Sequence, residues 1–168
     1  MNEQLDGMPN PISVERIGDR ELAITQIFDA VPEIVYEAWS QAELFRRWWF
    51  PRSATGISLE SCELDVRSGG TYRLEFRFGP SDTMAFHGRY LEVVPNERIV
   101  WTNDEEEGGA VTTVTFAAQD TKTRLNFHEI YPSLQAREEA MEGSAAALPE
   151  QLMQLNELLA GLGSQPRT

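Results

Sequence analysis

The sequence predicts an α+β fold in which a curved antiparallel sheet wraps around a long C-terminal helix. Three observations carry this. From residue 56 to about residue 131 the pattern is β throughout, interrupted only by short turn-forming clusters. Met141, Ala145, Leu148, Leu152, Leu155, Leu159 and Leu162 recur at alternating spacings of four and three, which makes one apolar stripe along a helix. Two short helical patterns stand between the first strand and the rest of the sheet. A chain of 168 residues suits one domain with a sizeable core. Its expected span is 12–163, after a loose polar arm at 1–11 and before a tail at 164–168.

Residues 12–28 read as the first strand. Leu22, Ile24 and Gln26 alternate against Ala23, Thr25 and Ile27, with a break or bulge available at Gly18-Asp19. Pro32 then sits at the first position of a helix carrying Ile34, Val35, Ala38 and Trp39. Ser40 with Glu43 has the spacing of a capping box for a second helix, which carries Leu44, Phe45, Trp48 and Trp49 and stops before Pro51. In the sheet, turns are expected at Gly69-Gly70, Gly79-Pro80, Pro95-Asn96, Gly108-Gly109 and Gln119-Asp120. Such short connections pair consecutive strands antiparallel. Tyr72, Leu74, Phe76 and Phe78 alternate against Arg73, Glu75 and Arg77, so one face of that strand is core and the other is wet. Met84, Phe86, Gly88 and Tyr90 share a face of the next strand, and Gly88 marks a sharp bend or a close approach by another element. Pro149 interrupts the C-terminal helix and implies a kink, or a break with a restart.

Charge and motif content exclude several functions. Lys and Arg total 14 against 27 for Asp and Glu, a formal charge of −13. That surface repels nucleic-acid phosphates and anionic lipid, and no nucleic-acid-binding motif is present. No apolar run reaches the roughly 18 residues of a membrane span, and the N-terminus has no secretory pattern, so a cytoplasmic location is expected. Cys62 is the only cysteine and reads as a small half-buried thiol. No phosphate-binding glycine loop or nucleophile elbow appears. The acidic run at residues 104–107 reads as a solvated loop rather than a calcium cup. His87 and His128 are the only histidines, so no metal site and no cofactor is expected.

The remaining candidates are softer. By alternation His87 faces solvent. His128 and Glu129 lie near the end of the last strand, where Glu129 reads as a surface strand end, with a buried acid as the alternative. With Tyr90, these two are the candidates for proton transfer. Trp48 and Trp49 project about 100° apart on a helix, so one indole enters the core while the other lies at its edge, suited to a cavity mouth. Tyr72, Leu74, Phe76, Phe86, Tyr90 and Trp101 on the sheet, with Leu148 and Leu152 on the C-terminal helix, complete the expected cavity lining.

The segment Phe28-Asp29-Ala30-Val31-Pro32-Glu33-Ile34-Val35-Tyr36-Glu37-Ala38-Trp39-Ser40, followed by Leu44 and Arg47-Trp48-Trp49, resembles the opening of proteins related to the activator of heat-shock-protein-ninety ATPase. That family is part of the START-like, Bet v 1-like superfamily. Asp65-Val66-Arg67-Ser68-Gly69-Gly70-Thr71-Tyr72-Arg73, the stretch from Gly88 to Thr102, and Thr123-Arg124-Leu125 fit the same resemblance, which spans about residues 15–162. Ser68 stands where the family usually has proline. Ser144, after Gly143, stands where a Gly-Trp pair is common, which implies a larger or more open cavity end. The resemblance implies the helix-grip fold, with two short helices after the first strand.

Three functions follow as expectations. The first is binding of a small hydrophobic or amphipathic molecule between sheet and helix. The second is an enzyme of the polyketide cyclase or dehydratase type, using a buried acid, Tyr or His. The third is an interaction module for a chaperone, which the acidic surface would steer towards a basic partner. An edge strand also offers a route to a homodimer.

Overall fold

The computed structural model describes residues 12–53, 56–104, 109–142 and 147–163. The expected arm at 1–11, the tail at 164–168, the acidic residues at 105–107, and Gly108, Gly143, Ser144 and Ala145 lie outside the described residues.

Among the described residues, eight strands form one antiparallel sheet: β1 (Ile12–Ile17), β2 (Glu21–Phe28), β3 (Ile57–Leu64), β4 (Thr71–Phe78), β5 (Asp82–Val94), β6 (Arg98–Thr102), β7 (Val111–Gln119) and β8 (Lys122–Ile130). Their order across the sheet is β1-β2-β8-β7-β6-β5-β4-β3. From β3 to β8 each strand pairs with the next in sequence, as short connections dictate. The exception is β2, which crosses to pair with β8, setting Leu22 opposite Glu129 and Ile24 opposite Phe127. The helices are α1 (Pro32–Ser40), α2 (Ala42–Trp48), α3 (Leu134–Glu142) and α4 (Leu148–Gly163).

The stretch expected as one strand over 12–28 is a hairpin. Gly18 adopts φ +56 in the turn, and Ile17 pairs with Glu21 across it. β1 is therefore an extra edge strand, exposed from Ser13 to Ile17.

The bend expected at Gly88 is present. A Cβ there would stand 1.9 Å from the Thr102 carbonyl oxygen and 2.7 Å from the Tyr72 ring, so only glycine lets β6 and the β4 side chain close over this point. Beside it the register with β6 slips between Tyr90 and Glu92, a bulge that adds local twist. The Asp82–Arg89 part of β5 pairs with β4, and its later part pairs with β6. Ser68 contributes at the same place, because its hydroxyl accepts the Val93 N–H at 2.9 Å. A proline side chain offers no such acceptor.

Pro32 does occupy the first turn of α1. The capping box at Ser40 and Glu43 does not form. Ser40 is still the last residue of α1, and Gln41 both ends that helix and starts α2 with no side-chain cap. Glu43 instead reaches Arg47 one turn on, at 3.4 Å, an exposed pair of little energetic weight. The C-terminal stripe is divided between two helices. Ser133 caps α3 by accepting the Ala136 N–H at 3.0 Å, and Pro149 sits in the first turn of α4, where its missing N–H costs nothing. The break alternative therefore holds, and α4 is the long helix that the sheet grips.

The grip is made by leucines and two glutamines. Leu152, Leu155 and Leu159 are fully buried against Phe28, Val35 and Trp48 among others. Gln154 Nε2 donates to the Trp48 and Phe50 carbonyls at 2.9 and 2.8 Å, while its Oε1 accepts the Arg52 N–H at 2.8 Å. Gln151 Nε2 donates to the Trp49 carbonyl. The carbonyls left unpaired where α2 ends thus find partners on α4.

Three substitutions test this architecture. Leu155→Asp places an unpaired charge in the core and should leave the chain unfolded by circular dichroism at room temperature. Gln154→Ala orphans two carbonyls and one N–H, and should lower Tm by on the order of 5–10 °C. Gly88→Ala should cost about 1–3 kcal/mol in denaturant unfolding, because backbone must move to admit the methyl group.

Candidate functional site

The concave face of the sheet carries side chains in rows set by the register. One row reads Tyr90 on β5, Trp101 on β6, Thr112 on β7, Glu129 on β8 and Leu22 on β2. The neighbouring row includes Ile99, Val114, Phe127 and Ile24. Thr112 stands between the indole and the carboxyl and is fully buried. The helices do not fill the space above the sheet, and a cavity of about 600 Å³ remains. It is open on one side. Such a volume lies within the roughly 300–1,000 Å³ usual for small-molecule sites.

Most of its wall is aromatic. Trp39 stands centrally, with Trp48, Trp49, Trp101 and Phe127 ring centroids 4.7–6.2 Å away. Its indole N–H has no hydrogen-bond partner and is enclosed by rings. Phe50 packs on Phe76 at 5.0 Å, and Phe76 on Phe86 at 5.4 Å. Phe86 is 38% exposed, which places it at the mouth.

The polar groups gather at one end. Tyr72 Oη donates to the Thr102 carbonyl at 2.8 Å and lies 3.3 Å from Asn103 Oδ1. Asn103 Nδ2 donates to the Ala110 carbonyl at 2.9 Å and to Thr112 Oγ1 at 3.2 Å. Thr112 Oγ1 donates to Glu129 Oε2 at 2.6 Å, and Tyr131 Oη donates to Glu129 Oε1. The Glu129 side chain is half-buried and borders the cavity. Burial pushes its carboxyl above the ordinary glutamate range, against the opposing pull of the Thr112 and Tyr131 hydrogen bonds. Burial and the Glu129 carboxyl together raise Tyr131, and burial chiefly raises Tyr90. A buried carboxyl bonded to a tyrosine at a cavity wall can accept a hydrogen bond, pair with a cation or exchange a proton.

The expected lining residues Trp49, Tyr72, Leu74, Phe76, Phe86, Tyr90, Trp101 and Leu148 all border this cavity. Trp48 and Leu152 do not. Trp48 is fully buried beneath it, with Nε1 donating to the Ala38 carbonyl at 2.9 Å, and Leu152 points into the core between α4 and the sheet. The two indoles of α2 divide as helical geometry requires, one in the core and one on the wall. His87 is exposed. His128 lies on the opposite face of β8 from Glu129 and sits 2.8 Å from Glu21, so it is outside the cavity. Glu129 is not a surface strand end. It shares the inward face of Leu125 and Phe127, and Tyr131 covers it. Asn103, Thr112 and Tyr131 were not expected. Their sequence signal was strand phase: that of Ile99 and Trp101 on β6 runs on to Asn103, that of Val114 and Phe116 on β7 includes Thr112, and that of Leu125 and Phe127 on β8 runs on to Tyr131. No group of three or more His, Cys, Asp or Glu suited to a metal ion occurs among the described residues, and no helix among them is long and apolar enough to cross a membrane.

The fold has many solved counterparts. A protein from Rhodobacter sphaeroides superposes with a TM-score of 0.80 at 22% identity, covering 90% of this chain and 99% of that one. A protein from Chromobacterium violaceum is 30% identical, with a TM-score of 0.68 over 82% of this chain and 96% of its own. An Activator-of-Hsp90-ATPase-like protein from Aeromonas hydrophila gives 0.67 at 16% identity, covering 87% and 97% of the two chains. No curated protein matches the sequence. The model of the family described as Activator of Hsp90 ATPase homolog 1-like protein matches residues 29–160. With its helix-grip architecture, the chain belongs to the Activator of Hsp90 ATPase homolog 1-like family.

Proposed function

We propose that this chain binds one small amphipathic molecule in the cavity between the sheet and α3 and α4. The observation that carries the reading is the cavity itself: about 600 Å³, walled by aromatic rings, with a single hydrogen-bonded polar cluster at one end. An apolar body gains from leaving water for the ring-lined part, and the cluster at Glu129 orients the other end. The family's fold supports a ligand-binding role in general terms.

A second reading is favoured by the Glu129–Tyr131 pair. A carboxyl held above its ordinary range by burial is suited to general acid–base work on a bound substrate. Glu129, with Tyr131 and Tyr90 beside the cavity, would then be the proton-transfer groups, as in a cyclase or dehydratase. Turnover with a bell-shaped pH profile, abolished in Glu129→Gln, would support this reading. Binding without turnover leaves the carrier role.

Native mass spectrometry of the freshly purified protein should show a mass increment that disappears on denaturation. A ligand at a hundred times its Kd should stabilise the native state by about 2.7 kcal/mol. Phe86→Ala should weaken such binding more than Arg73→Ala, because Phe86 stands at the mouth and Arg73 lies exposed on the outer face. Equal effects would contradict the site.

Glu129 should also give the protein's stability a pH signature. Glu129 titrates higher in the folded chain than in the unfolded one, so the folded state holds more protons in that interval. Its contribution to stability is full below the ordinary glutamate value and is lost as pH rises through the folded value. Denaturant unfolding at a series of pH values should show this loss, and Glu129→Gln should remove it.

A further inference from the structure

We infer that the polar end of the ligand is an organic cation, a protonated amine, held by the Glu129 carboxylate. This rests on the cavity-binding reading above and deepens it.

A hydrogen-bond chain runs from Asn103 through Thr112 to Glu129. Asn103 is oriented by its Nδ2 bond to the Ala110 carbonyl, so it donates to Thr112 Oγ1, and the Thr112 hydrogen is left for Glu129 Oε2. Tyr131 donates to the other carboxylate oxygen. With Glu129 ionised, the Thr112 and Tyr131 hydroxyls can each offer it a hydrogen, and the carboxylate keeps lone pairs available to the cavity.

Among the described residues, nothing basic lines the cavity beside this carboxylate. Its described lining includes Tyr72, Tyr90, Tyr131, Glu129 and Glu139 as titratable groups, and no Lys, Arg or His. The charged and titratable groups facing Glu129 from the packed elements are few. His128 is next to it on β8 but is turned to the outer face, towards Glu21. Arg137 on α3 acts on Tyr131, yet its guanidinium is held by the Gly18 and Glu21 carbonyls and by Glu138. Glu139 on α3 adds a second negative group to the lining. A buried carboxylate without a counter-ion is costly, and a ligand cation is the species that would relieve that cost.

The walls agree with this choice. Aromatic ring faces attract cations, and Trp101 and Phe127, 6.2 Å apart, border the cavity on the strands flanking β7 and its Thr112. The net charge of −13 favours approach of a cation and opposes an anion. A carboxylate ligand would meet Glu129 and Glu139 with no compensating base.

The test compares three probes of one shape, phenylbutylamine, phenylbutanol and phenylbutyrate, by isothermal titration calorimetry on the intact protein and on Glu129→Gln. The amine should bind about tenfold or more tightly than the alcohol, with the carboxylate weakest. Glu129→Gln should weaken the amine about ten- to a hundredfold, the range of a charge-assisted hydrogen bond, and leave the alcohol within about twofold. In the intact protein, amine affinity should rise as pH is raised through the titration of Glu129, since binding selects the carboxylate, while alcohol affinity should not. That pH series and the three-probe ranking need no variant, so they decide the matter even where Glu129→Gln folds poorly. Equal binding of amine and alcohol, tightest binding of the carboxylate, or amine affinity unchanged in Glu129→Gln overturns the cation and leaves the cavity reading standing. Binding of none of the three overturns both.

Discussion

The Gln154 amide holds the two halves of the site in register. Its one side chain accepts from Arg52 and donates to Trp48 and Phe50, so the point where α2 ends is fixed against the middle of α4. Those backbone groups belong to a helix end and would otherwise face a buried, apolar environment. Because Gln154 satisfies them, Trp48 can sink into the core while Trp49 and Phe50, one and two residues later, form the cavity wall. The leucines of α4 then fall between α1, α2 and the sheet. The apolar contacts supply most of the stabilisation, but they are non-directional. The amide sets where along α4 those contacts are made.

The sheet has its own constraint at Gly88. Strand β5 must serve β4 with one part and β6 with the other, and it does so by bending where no side chain intervenes. Across the bend, the Tyr72 and Trp101 rings approach to 6.5 Å. The bend converts a surface into a concavity. The polar cluster at Glu129 sits where β8 pairs with β2, at one end of that space.

Much of this was legible in the sequence, for identifiable reasons. The alternation from Tyr72 to Phe78 is clear because one face of β4 meets water and the other does not. Gly88 was legible because a glycine inside a strand weakens it and is kept there for a bend or a close approach. Errors arose where a local pattern depended on a distant partner. Ser40 and Glu43 have capping spacing, yet α1 runs on through Ser40, so there is no free helix start for them to cap. Leu152 lies on the correct stripe, but periodicity does not distinguish the sector facing the cavity from the sector buried in the core. Glu129 looked like the exposed end of a strand. Its burial depends on Tyr131 and Thr112, the latter on another strand, and no spacing within β8 encodes that.

The crossing of β2 to β8 has a consequence for how the molecule comes to exist. Leu22 pairs with Glu129, a partner synthesised more than a hundred residues later, and α4 comes later still. Strand β2 therefore has only the β1 hairpin to pair with while the rest of the sheet is being made. The aromatic concavity stands uncovered on the nascent chain until its gripped helix arrives. Such non-local closure is slow and leaves sticky surface in the open. The same face that shapes a ligand site in the finished molecule is thus the face most in need of shelter during synthesis.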